Sequence, residues 1–200
     1  MRRSAVVALL LACWPLALCM GQDSGRPAAE AAGSAEARAA RWREDLAFLV
    51  SELPKRHKNA FFKCSKEAFE AAAARLDGEL AGLSDVQINV RLMMLAAMLG
   101  DAHTNVGSAG RLHSFPILPY WFADGLVVVA AGAEQRELIG ARVVKIGDMD
   151  AEEACGKAEA VFAFENRATM RDRSPRYAMM GEVAEAVGLS KGGTYAHFGS

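Results

Sequence analysis

The feature that most constrains this chain is a change of hydrophobic period between residues 99 and 115. Before it, large apolar residues recur at steps of three and four; after it, aromatic and β-branched residues crowd together. A period near 3.6 buries one stripe of a helix, whereas a dense β-branched run suits a half-buried sheet. Both patterns in separate blocks predict an α+β fold, helices first and sheet second.

The first block resolves into three helices. Trp42, Leu46, Leu49, Val50 and Leu53 keep helical spacing until Pro54 disturbs the ladder. Ser65 is a plausible N-cap for a second stripe of Phe69, Ala73, Leu76, Leu80 and Leu83. Ser84-Asp85-Val86-Gln87 is a capping-box pattern opening a third helix, which carries Ile88, Leu92, Leu95 and Leu99 and stops at Gly100. Short connections between amphipathic helices predict a three-helix bundle over residues 42–105. The methionines at 93, 94 and 98 read as core filling.

In the second block, FPILPYWFADGLVVVAAG folds back at Ala123-Asp124-Gly125 as a hairpin. The strip from Phe115 to Phe122 suits either a buried strand pair or an open peptide groove. A third strand is expected over Ala141 to Ile146, then a Gly147-Asp148 turn and a helix from about Asp150 to Phe164. Helical spacing resumes at Met179, Val183, Ala186 and Val187. Residues 166–200 are therefore expected to hold a helix and the incomplete start of a further domain.

Met1-Arg2-Arg3 followed by the 14 apolar residues Ala5 to Leu18 reads as a signal peptide over residues 1–21. As a helix that run spans roughly 21 Å, short of the roughly 30 Å hydrocarbon layer, so no integral membrane span is expected. Export to the periplasm or the extracellular space follows, with cleavage after Cys19 or Gly21, or a lipid anchor at Cys19. Residues 22–40 are Ala, Gly, Ser and charge with no large apolar group, an expected Ala/Gly-rich linker. Losing Arg2 and Arg3 moves the formal charge from −1 to −3, so no nucleic-acid partner is expected. Cys64 and Cys155 remain, enough for one disulfide or two free thiols.

The stretch LGDAHTNVG, residues 99–107, is least explained by folding. A left-handed turn at Gly100 would project His103 beyond the bundle, where an imidazole can take a proton from a hydroxyl and Asp101 or Thr104 can fix its tautomer. The same ring could instead cap the helix terminus. Asp101 and His103 alone do not make a metal site, and His57 or His113 could join them only by supposition; neither a metal nor another cofactor is expected. His57, among Lys55, Arg56 and Lys58, reads as a solvated basic turn.

Taken together, Trp42-x-x-Asp45-Leu46, His57 with Asn59 and Phe61, Asp101-Ala102-His103-Thr104, Phe115-Pro116, Asp124-Gly125 and the segment GARVVKIG (residues 140–147) resemble the N-terminal half of C-terminal processing (tail-specific) and tricorn-core serine peptidases. The resemblance implies a bundle over 42–105 and a PDZ-like domain over 112–165. It places the general base at His103, with a nucleophilic serine in a later α/β domain. Where the tricorn-like pattern can carry a serine before this histidine, this chain has Ala102. None of the serines at 51, 65, 84, 108, 114, 174, 190 or 200 lies on a strand-to-helix turn; Ser190-Lys191-Gly192-Gly193 reads as a loop after an alanine-rich helix. The expectation is therefore a portion lacking the nucleophile and the catalytic α/β domain, inactive alone in proteolysis. Its partners would be peptide or unfolded-protein C-termini and a partner chain supplying the nucleophile domain. The alternatives are a non-catalytic PDZ-like peptide-binding module or a truncated gene product.

Overall fold

The computed structural model describes residues 28–107, 112–189 and 196–199. The signal segment 1–21 with Cys19, residues 22–27 of the expected linker and the Ser190–Gly193 segment lie outside the described residues.

Three helices come first: α1 (Ala28–Arg56), α2 (Lys66–Glu79) and α3 (Asp85–Ala97). Both expected caps are present. The Ser65 hydroxyl accepts from Ala68 N, and Ser84 and Gln87 exchange side-chain and backbone bonds as a capping box. The expected start of order at Trp42 is corrected, because α1 already runs through residues 28–41. Ala, Glu and Arg are strong helix formers, and this stretch is fastened despite its lack of large apolar groups. Ala39 is fully buried, and Arg38 donates to the Leu83 carbonyl and the Asp85 carboxylate. Trp42 Nε1 adds a bond to the same carboxylate. Pro54 sits in the last turn, where the helix ends two residues later.

The sheet follows. β1 (Ile117–Phe122) and β2 (Gly125–Ala131) form the expected hairpin, β3 (Arg142–Ile146) pairs with β2, and β4 (Met149–Asp150) turns back on β3. All pairings are antiparallel. β5 (Ala196–Gly199) lies on β3 as well. Leu126 and Val128 point inward and Val129 outward, the alternation of a one-sided sheet.

Covering that inner face are α4 (Ala151–Ala158), α5 (Arg167–Ala178) and α6 (Gly181–Ala186). Residues 166–189 thus do not begin a separate domain: Ala178, Met179, Val183, Ala184 and Leu189 share one core with Leu126, Val143 and Ile146. Helix α5 was not legible because its buried side offers only Ser174, Pro175 and Ala178. Its start is nonetheless capped by Asn166, which accepts from Thr169 N.

Two cores result. One unites α1, α2 and α3 around Phe69, Leu80, Ile88 and Leu95; the other unites the sheet with α4 to α6. Helix α3 serves both, giving Ile88, Leu92 and Leu95 to the first and Val90 and Met93 to the second. Cys64 borders the first core and Cys155 lies in the second, both as free thiols. Burial pushes the Cys155 thiol up to about 12, so it stays protonated and unreactive at neutral pH.

Candidate functional site

Gly100 ends α3 with φ +66, and Lys63 donates to its carbonyl at 2.8 Å. The next four residues form a tight turn closed by Thr104 N to Asp101 O at 3.0 Å. Asp101 leads that turn as an Asx-type residue, its Oδ1 accepting from His103 N at 3.0 Å. Thr104 Oγ1 donates to Oδ2 at 2.6 Å, and His57 Nε2 reaches Oδ2 at 3.0 Å. His57 Nδ1 accepts from Asn59 N, which leaves the ring proton on Nε2 for Asp101.

These donors hold the Asp101 carboxyl far below the usual carboxylate range, the Thr104 hydroxyl first and the His103 N–H second. Two sequence expectations change as a result. His57 is no solvated basic residue; it ties the end of α1 to the turn after α3. Thr104 does not orient His103, because its hydroxyl is spent on Asp101.

The His103 ring projects outward with its side chain 85% exposed. Its Nδ1 lies 3.3 Å from Asp101 Oδ1 and 3.6 Å from Glu165 Oε1. Among the described residues its polar neighbours are carboxylates, not a hydroxyl. Ser65 and Ser84 are helix caps, Ser51 and Ser114 bond to nearby carbonyls, and Ser174 is buried in α5. His113 is elsewhere, paired with Glu182 at 2.5 Å.

A cleft of about 610 Å³ opens beside this turn. Leu76 of α2, Met94 and Met98 around α3, and Phe162 and Phe164 after α4 give it apolar walls, while Arg75, Arg91 and Glu159 add charge. Burial raises the Glu159 carboxyl above its ordinary range. Gly100 and Phe164 both line the cleft, whereas Asp101, His103 and Glu165 are not among its lining residues.

Asp101 and His103 are therefore brought together as the sequence suggested, but Glu165 and the cleft were missed. The only local signal was the Asn166 cap, which fixes where the segment carrying Glu165 turns into α5. The cleft has no contiguous sequence signature, since its walls come from three separated segments. No family model, curated protein or solved structure matches this chain.

Proposed function

We propose that this chain is the base-bearing portion of an exported serine peptidase of the tail-specific or tricorn-like kind. His103 is the general base, Asp101 its orienting carboxylate, and the nucleophilic hydroxyl comes from outside the described residues. The observation that carries this reading is the 3.3 Å approach of Asp101 Oδ1 to His103 Nδ1 on an otherwise exposed ring.

A carboxylate that accepts from Nδ1–H leaves the Nε2 lone pair facing outward, as nucleophile activation requires. Asp101 is suited to the task because Thr104 and His57 hold its other oxygen, so it cannot swing away from the ring. General-base assistance supplies about 10²- to 10⁴-fold, whereas losing the nucleophile costs on the order of 10⁶-fold. The chain alone is accordingly inactive in proteolysis.

A serine-directed fluorophosphonate probe tests this directly. The purified 200-residue chain should remain unlabelled, and robust labelling at any serine overturns the proposal. In a longer polypeptide or a complex that contains this chain and does label, His103→Ala should slow labelling by about 10²- to 10⁴-fold; an unchanged rate removes the base role.

A second reading rests on strand β1. It is an edge strand of the described sheet, and Tyr120 and Phe122 stand 43% and 47% exposed with ring centroids 5.3 Å apart. An edge with exposed aromatics suits a PDZ-like module that accepts a peptide as an added strand. Titration with peptides bearing free or amidated C-termini decides it: a carboxylate-recognising groove prefers the free acid, and absence of binding to either removes this reading.

A further inference from the structure

We propose that Asp101, His103 and Glu165 form a binding site for one divalent transition-metal ion of the zinc class, a role separate from proton transfer to a nucleophile.

The three donor atoms, one imidazole nitrogen and two carboxylate oxygens, lie within 4.8 Å of one another. With zinc bonds of about 2.0 to 2.1 Å, tetrahedral ligands sit roughly 3.3 to 3.4 Å apart. His103 Nδ1 is 3.3 Å from Asp101 Oδ1, which matches, and 3.6 Å from Glu165 Oε1, slightly longer than the tetrahedral spacing. The third closes by rotation of Glu165, whose side chain is 56% exposed and sits just ahead of the Asn166 cap.

Hydrogen bonding accounts for Asp101 Oδ1, 3.3 Å from Nδ1, but not for the approach of Glu165. One ring nitrogen carries at most one proton, yet two carboxylate oxygens converge on it, and 3.6 Å is too long for a hydrogen bond. Asp101 also has the support expected of a metal-bound carboxylate, since Oδ2 is held by Thr104 and His57 while Oδ1 faces His103. Three protein ligands on a solvent-facing turn, with the His103 side chain 85% exposed, leave a fourth position for water or a ligand group.

Because Asp101 and His103 follow α3 while Glu165 precedes α5, the ion would also bridge the two cores. It would occupy Nδ1, the nitrogen that Asp101 addresses in the peptidase reading, and so replace that contact.

Equilibrium dialysis and calorimetry with zinc sulfate and the tag-free full chain test the site without any catalytic readout. One equivalent should bind, His103→Ala should weaken binding by about 100-fold, and Glu165→Gln by about 10-fold. His113→Ala and Cys64→Ser should bind as the wild type does. Circular dichroism verifies that the exposed-site variants remain folded. No saturable binding, undiminished binding in His103→Ala, or loss in Cys64→Ser each overturns the assignment. The fluorophosphonate experiment is indifferent to all of these outcomes, so the two proposals fail separately.

Discussion

The bundle and the sheet unit meet along α3, yet they are stabilised differently. The bundle core is aliphatic and announced by stripes and caps, and its far end is held by a polar latch of His57, Asp101 and Thr104. The sheet core depends on small residues, Ala151, Ala154, Ala158, Ala178 and Ala184, that let α4, α5 and α6 approach closely. A long apolar residue can shift rotamer to absorb a change, whereas a backbone-to-backbone approach cannot. The sheet unit should accordingly tolerate added volume less well than the bundle.

Two glycines make that difference measurable. Gly147 (φ +60) follows β3, and a Cβ there would lie 2.1 Å from the Leu189 carbonyl oxygen. Gly100 (φ +66) follows α3, and its Cβ would meet Cδ of the Lys63 side chain at 2.4 Å, a side chain that can change rotamer where a backbone carbonyl cannot. Left-handed strain of about 1 to 2 kcal/mol applies to both, and overpacking of about 1 to 3 kcal/mol or more is added at Gly147. Urea denaturation should therefore show Gly147→Ala losing roughly 2 to 5 kcal/mol and Gly100→Ala clearly less. Equal losses would erase the distinction between the two cores.

The shared helix provides the next test. Ile88→Ala opens a cavity in the bundle core and Met93→Ala one in the sheet core, each costing about 2 to 4 kcal/mol. If α3 couples the cores, both variants shift a single unfolding transition followed by circular dichroism. Two resolved transitions, each moved by only one variant, would show that the units unfold independently.

The smallest expected effect is electrostatic. Asp101 has its folded-state pKa lowered beneath the unfolded value, chiefly by Thr104, so its contribution is full above the unfolded pKa of about 3.9 and lost as pH falls toward the folded one. Melting curves from pH 6 down to about pH 2 should fall more steeply for the wild type than for Asp101→Asn. Parallel curves would mean that the latch contributes nothing to stability.

Asp101, His103 and Thr104 were recognisable as a group because they are adjacent, and adjacency after a helix-ending glycine restricts where they can point. What each does was not legible. The Thr104 hydroxyl turned to Asp101, and His57, 44 residues before Asp101, became its partner because the shared bundle core brings the end of α1 beside the turn after α3.

By itself the sequence determined the period of the helices, their caps, the hairpin and the order of bundle before sheet, because these depend on spacing and turn chemistry within a few residues. Tertiary structure alone decided that an alanine-rich stretch before Trp42 is helix, that residues 166–189 complete the sheet core, and that Glu165 reaches His103. The physical reason is that these outcomes rest on contacts between segments far apart in the chain. Small residues such as Ala39, Ala178 and Ala184 show their role only once a neighbour is packed against them.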